Sequence, residues 1–120
     1  GYHASFSSSY DGVRDFLKAG YDKEQLQLGL AFYARPLDAG GYWFEYSTYA
    51  DKLGRYTNTL DVEYNGQIFP SYFNCPQIIR DKTDYAIATD LAGVMIWNHG
   101  CDVPFDNELS LYRAITEAID

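Results

Sequence analysis

A short apolar run near the C-terminus limits the folds that this chain can adopt. Val94, Met95 and Ile96 lie between Gly93 and Trp97, and polar residues begin directly after the tryptophan. A run of this kind predicts a strand buried on both faces, as in parallel sheets covered by helices. Such a strand presents a flat indole at its carboxyl end, where barrels of alternating strands and helices assemble active sites. The indole suits the apolar face of a sugar ring, although a core tryptophan ending a core strand would give the same pattern.

A second apolar segment has the same character. Residues 26–35 are almost uninterrupted in apolar side chains and are followed by Pro36, which is excluded from strand interiors. We therefore expect one continuous buried strand. Side chains alternate across a strand, so Tyr33 and Arg35 should share a face at its carboxyl end, the end at which Trp97 leaves the other strand. The plainer explanation of Arg35 is an arginine that reaches solvent at a strand end.

Helical patterns surround the two strands. The first is expected over residues 10–19 and should end at Gly20, where a left-handed cap fits. The second opens at Pro76, which suits the first position of a helix, and ends near residues 89–90. The third begins after Pro104, and its inward face should carry Leu109, Tyr112, Ile115 and Ile119.

The order of these elements predicts an incomplete α/β fold. Helix, strand, long connection, helix, strand and helix form a unit whose two strands should be parallel. Two parallel strands are not a stable sheet, and a closed barrel of this type takes ~250 residues. At 120 residues, the chain should therefore be the last quarter to third of a barrel, or share its sheet with a partner chain. Unpaired strand edges would favour self-association.

The connection between the two strands, residues 36–74, is rich in aromatic side chains. Residues 47–53 could form a short helix, and Asn65-Gly66 between two β-prone segments is typical of a tight hairpin. Connections of this length usually carry function or form a small subdomain. The segment is either a wall or lid over the site, or a mini-core that packs its own aromatic rings.

Composition excludes several classes of partner. The formal net charge of −8, without a cluster of Lys or Arg, argues against binding to a phosphate backbone and favours neutral substrates. No signal-peptide pattern or long apolar span is present, so we expect no membrane contact. Cys75 and Cys101 lack metal-type spacing and are either one disulfide or two buried thiols. We expect no metal and no cofactor.

Three motifs and one further segment resemble the family 18 glycoside hydrolases, the chitinases and chitinase-like proteins. Residues 28–35, Leu-Gly-Leu-Ala-Phe-Tyr-Ala-Arg, resemble the seventh-strand motif, usually L-G-x-P-F-Y-G-R. Residues 91–102 resemble the eighth strand, usually G-G-x-M-x-W followed by Asp. Residues 72–76 and the helix after them look like the element between those strands, and residues 3–17 are similar to the loop and helix before strand seven. The resemblance covers nearly the whole chain.

The resemblance implies a fold and a substrate. It identifies the chain as the C-terminal portion of an eight-stranded (β/α)8 barrel, with strands seven and eight, that binds oligo- or polysaccharides of β-linked N-acetylglucosamine. Trp97 would form the floor of the sugar subsite at the cleavage point, and Tyr33 and Arg35 would line the same cleft and bond the sugar. The parent would be a retaining hydrolase in which the substrate's own acetamide attacks, an exception to the two-carboxylate rule. An extracellular or periplasmic location follows from the same resemblance.

The chain also departs from the family pattern. The catalytic motif D-x-x-D-x-D-x-E is absent from these residues, so no catalytic residue is assigned and we expect the chain alone to be inactive. Asp102 and the other scattered carboxylates are expected to cap helices or face solvent. Two alternatives remain: a non-catalytic chitinase-like carbohydrate-binding protein, and a self-contained domain whose aromatic segment binds protein.

Overall fold

The computed structural model describes residues 6–34 and 43–119. The helices in these ranges are α1 (Phe6–Lys18), α2 (Tyr46–Leu53), α3 (Pro76–Ala88) and α4 (Leu111–Ile119). The strands are β1 (Gln27–Ala31), β2 (Tyr33–Ala34), β3 (Phe44–Glu45), β4 (Thr59–Tyr64), β5 (Gln67–Tyr72) and β6 (Gly93–Trp97). The predicted α/β class is confirmed.

The predicted parallel pair is present as β1 and β6. Their register runs from Gln27 opposite Gly93 to Ala31 opposite Trp97. The long connection and α3 lie between them in sequence, as a crossover between parallel strands requires. Among the described residues, no other strand joins this two-stranded sheet.

The two faces of this sheet have different surroundings. Leu28 and Leu30 are buried on one face, where Leu28 clusters with Val13 of α1 and Ala86 of α3. On the opposite face, Met95 of β6 is 50% exposed. The prediction that β6 is buried on both faces is therefore wrong for the described residues, because Met95 and its partner Gly29 are exposed at the centre of this second face.

The first two large helices follow their predicted patterns with one difference. α1 begins at Phe6, earlier than predicted, because serine is only mildly unfavourable inside a helix and the serine run joins it. It ends before Gly20, whose φ of 99° confirms the left-handed cap. Pro76 opens α3 as predicted. Lys82 of α3 is fully buried, and burial lowers its pKa to about 8.

The last helix begins later than predicted because a distant carboxylate caps it. Asp102 accepts hydrogen bonds from the backbone N–H groups of Leu111 and Tyr112 and from the Ser110 hydroxyl, at 2.8–2.9 Å. These bonds satisfy donors that have no partner inside a helix, so α4 starts at Leu111. Its buried residues are Leu111, Ala114 and Ile115. The prediction that Tyr112 and Ile119 face inward is wrong, since both are exposed.

The long connection forms a hairpin and a helix that join the main core. Asn65 and Gly66 both have positive φ, as the predicted tight turn between β4 and β5 requires. The predicted short helix is α2. Aromatic rings of this segment contact one another, with Phe44 lying within 6.2 Å of Tyr49, Tyr64 and Phe69, measured between ring centroids. The same buried cluster continues into α3 and α4, so these rings do not form a separate core.

The two cysteines remain free thiols. Cys75 and Cys101 are both buried, and burial raises the pKa of each thiol. The open alternative between a disulfide and two buried thiols is thus decided in favour of thiols. None of the helices within the described ranges combines the length and apolarity needed to cross a membrane.

Candidate functional site

Trp97 displays its side chain from an anchored backbone. It is the last residue of β6, opposite Ala31 in the parallel register. Its carbonyl oxygen accepts a hydrogen bond from the backbone N–H of Phe32 at 2.8 Å. The indole is nevertheless 56% exposed. A large ring is therefore held at a fixed point of the carboxyl edge of the sheet and remains accessible.

The chain changes direction immediately after β1. Phe32 buries its side chain completely, and its carbonyl oxygen accepts a hydrogen bond from the backbone N–H of Tyr46 at 3.1 Å. The following residues, Tyr33 and Ala34, form the separate strand β2, which pairs antiparallel with β3. The prediction of one continuous strand over residues 26–35 is wrong, because Phe32 bends the chain away from β6 and into a second sheet.

This small second sheet sorts its side chains onto two faces. Ala34 and its partner Phe44 are buried, whereas Tyr33 is half-buried and its partner Glu45 is exposed. Tyr33 contacts the ring of Trp43, with centroids 4.9 Å apart and planes at 58°. Trp43 is itself 39% exposed. The chain therefore places two accessible aromatic rings, those of Tyr33 and Trp43, and the carboxylate of Glu45 just after β1, whose last residue pairs with Trp97.

Two of the three predicted site residues can be placed. Trp97 ends β6, and Tyr33 lies one residue beyond Phe32, which bonds to Trp97. Arg35 lies outside the described residues. Sequence reasoning did not select Trp43 as a site residue. Its signal was its spacing, since Trp43 and Glu45 alternate around the buried Phe44 in the way that strand residues alternate between faces.

Two of the polar residues that follow Trp97 have structural roles. Asn98, joined to Trp97 by a cis peptide bond, accepts the backbone N–H of Gly100 with its side-chain oxygen at 3.0 Å. Asp102 caps α4, which is one of the two roles, capping or facing solvent, expected for this carboxylate. Within the part of the chain that the structure describes, no group of three or more His, Cys, Asp or Glu could hold a metal ion.

The groups exposed at this edge are of the kinds that binding surfaces use. Exposed indoles and a phenol offer flat apolar area with hydrogen-bonding groups at the rim, a combination that contacts amphipathic rings well. Glu45 is an exposed acceptor on the same face as Tyr33. General acid–base hydrolysis needs carboxyl groups positioned on both sides of a bond or an equivalent internal nucleophile. Asp102, the first carboxylate after Trp97 in sequence, is used as a cap.

Solved structures of chitinases resemble this chain over almost its full length. A chitinase from Bacteroides thetaiotaomicron matches 98% of the chain with a TM-score of 0.75 at 23% sequence identity. The GH18 chitinase ChiB from the chitin utilization locus of Flavobacterium johnsoniae also matches 98%, with a TM-score of 0.67 at 26% identity. A family 18 N-acetylglucosaminidase from Paenibacillus barengoltzii matches 88%, with a TM-score of 0.58 at 27% identity.

The chain is related to the family 18 chitinases. It spans 39%, 36% and 37% of these three structures, so it corresponds to only part of their barrels. No family model and no curated protein matches the sequence. The relationship predicted from the strand motifs is confirmed by structure.

The exposed indole and the buried phenylalanine at this edge should respond differently to truncation. Trp97→Ala removes a side chain that is largely in solvent and should lower the free energy of unfolding by no more than about 1 kcal/mol. Phe32→Ala empties a completely buried position and should cost about 3–5 kcal/mol. Urea denaturation monitored by circular dichroism compares the two variants. Equal losses would show that Trp97 is a core residue rather than a displayed one.

Proposed function

We propose that this chain supplies strands seven and eight of a family 18 glycoside hydrolase barrel and, with them, the aromatic floor of a cleft for β-linked N-acetylglucosamine polymers. The observation that carries the proposal is Trp97, an exposed indole held at the carboxyl end of a parallel strand. That position is where barrels of this type bind their substrates. The relatives named as chitinases support the substrate class.

An incomplete barrel accounts for the surfaces that the sheet leaves open. β1 pairs only with β6 among the described strands, so each strand has one unpaired edge. Gly29 and Met95 lie opposite each other on the uncovered face, which in a closed barrel is the packed interior. In this proposal β1 is strand seven, β6 is strand eight, and residues 36–74 form a wall of the cleft.

In the isolated chain the free edges can pair with a second copy, which sedimentation velocity would register as a dimer.

The proposed binding residues contact different parts of the sugar. Trp97 stacks under the apolar face of a sugar ring, while Tyr33 and Arg35 bond its hydroxyl and acetamide groups. Trp43, in ring contact with Tyr33, extends the aromatic surface toward a neighbouring sugar unit. In the parent protein a glutamic acid outside this chain protonates the leaving oxygen, and the acetamide of the substrate attacks. Such a parent acts on extracellular or periplasmic polysaccharide.

A non-catalytic carbohydrate-binding protein is the second candidate. Its support is that Trp97 is exposed at the carboxyl end of β6, whereas Asp102, the first carboxylate after it in sequence, is committed to the cap of α4. The two candidates share the same sugar contacts and differ upstream. A glutamate at the end of strand four would define the parent as a hydrolase, and its replacement would define it as a lectin.

Removal of Trp97 should weaken sugar binding. Stacking on a well-placed indole contributes enough that Trp97→Ala should raise the Kd for a chitin oligosaccharide at least about tenfold. Trp97→Phe keeps a smaller ring and should lose less. Isothermal titration calorimetry measures both variants. Tyr56→Ala is the control, because Tyr56 is 72% exposed on the loop after α2. Equal affinities for Trp97→Ala and the control would contradict the assignment of the floor.

The chain alone should not hydrolyse the sugar that it binds. Without the glutamic acid the leaving oxygen has no proton donor, and a missing general acid typically costs 10²–10⁴-fold. Release of a chromophore from an aryl chitooligosaccharide over a day at neutral pH is a sensitive measure. Turnover by the purified chain, retained after repeated purification, would overturn the view that catalysis needs residues from elsewhere.

A further inference from the structure

A buried asparagine forms a hydrogen bond to the backbone at the end of β1. Asn74 lies between β5 and α3 and is only 2% exposed. Its side-chain nitrogen donates a hydrogen bond to the carbonyl oxygen of Ala31 at 3.0 Å. Its side-chain oxygen is buried and has no hydrogen-bond partner among the described residues. Buried polar groups are normally hydrogen-bonded, yet Asn74 uses its donor and leaves its acceptor without a partner among the described residues. This exception calls for a physical reason.

The hydrogen bond from Asn74 is made to the same peptide group that bonds to the backbone of Trp97. The carbonyl of Ala31 and the N–H of Phe32 belong to one peptide unit, which is planar and rotates as a whole. Its oxygen accepts from Asn74, and its N–H donates to the carbonyl oxygen of Trp97 at 2.8 Å. Because hydrogen bonds in a chain polarise one another, the first bond both orients and strengthens the second.

The same peptide unit sets the position of Tyr33. Directly after it, the carbonyl of Phe32 accepts the N–H of Tyr46, and the chain turns into β2. Rotation of the Ala31–Phe32 peptide would therefore displace Trp97 and Tyr33 together. Asn74 is itself held in place, since Phe73 before it bonds to the carbonyl of Asn58 at 2.7 Å and α3 begins two residues later.

We propose that Asn74 is a positioning residue for the sugar cleft: its amide fixes the Ala31–Phe32 peptide and thereby the points at which Trp97 and Tyr33 leave the sheet. The link to sugar rests on the proposed function. The control of the backbone does not, since it follows from the three hydrogen bonds alone. Asn74 touches no substrate in this proposal and acts through the aromatic residues.

Two substitutions separate positioning from stability. Asn74→Leu keeps the approximate size of the side chain and removes its donor. Thr83→Val is the matched control, because Thr83 is also buried and also donates a side-chain hydrogen bond to a backbone carbonyl, that of Ile79 at 2.8 Å, but this bond lies within α3. Thermal unfolding records the stability of both variants. Asn74→Ser is a milder second variant that serves if Asn74→Leu does not fold.

The decisive readouts are the Phe32 amide and the Trp97 indole. In ¹⁵N-labelled chain, Asn74→Leu should speed hydrogen exchange of the Phe32 amide about 5- to 10-fold, the effect of losing one hydrogen bond. It should also shift the Trp97 indole N–H resonance, which Trp97→Phe identifies. Thr83→Val should change neither. If Asn74 variants leave both signals unchanged, or change them no more than Thr83→Val does, the inference is wrong.

Sugar affinity then tests the functional half of the proposal. Asn74→Leu should raise the Kd for a chitin oligosaccharide about 5- to 10-fold, and Thr83→Val should leave it within about twofold. Altered Phe32 and Trp97 signals with unchanged affinity would overturn the positioning role. Absence of sugar binding by the unaltered chain would instead count against the proposed function, while the amide and indole signals would still judge the backbone inference.

Discussion

The architecture depends on how one peptide group, between Ala31 and Phe32, is held. Its N–H bonds to Trp97 and so ends the parallel pair of β1 and β6. Its carbonyl bonds to Asn74, which brings the end of the hairpin segment against β1. The Phe32 side chain fills the core at the same point. This single peptide group therefore takes part in three features of the fold: the pairing of β1 with β6, the attachment of the long connection, and the exposure of the aromatic edge.

Exposure has two different meanings on this sheet. Met95 is exposed in the middle of β6, at a position that further strands of a closed barrel would cover. Trp97 is exposed at the carboxyl end of the same strand, where loops and substrate rather than strands would be its neighbours under the proposed function. Completion of the barrel would thus bury Met95 and leave Trp97 accessible. The proposal therefore assigns Met95 to an unfinished core and Trp97 to a binding surface, although both are large apolar side chains in water.

Much of the fold could be predicted where local chemistry decides the structure. Asn65-Gly66 supplies the positive φ of the tight turn, Pro76 starts α3, and the run before Trp97 forms β6. The bend at Phe32 could not be predicted, because its neighbours in sequence are Ala31 and Tyr33, and none of these three residues is a typical turn residue such as glycine, proline or asparagine. Phe32 turns there in response to backbone bonds from distant parts of the chain.

The same limit applied to the last helix and to the site. The start of α4 depends on Asp102, eight residues before the serine that it bonds, and no local signal marks that contact. Trp97 could be placed at a strand end from the sequence because its spacing from the apolar run is local. The contact of Trp43 with Tyr33 required a second sheet that appears only after the chain bends.

The central claim is that the carboxyl edge of β1 and β6 is a piece of a sugar cleft. Titration of the ¹⁵N-labelled chain with an N-acetylglucosamine oligosaccharide, followed residue by residue, tests it most directly. The account predicts saturable shifts confined to the Trp97 indole, the backbone of Phe32 and Tyr33, and the Trp43 indole. Shifts centred on α3 or α4, or none at oligosaccharide concentrations of several millimolar with a folded chain, would contradict it.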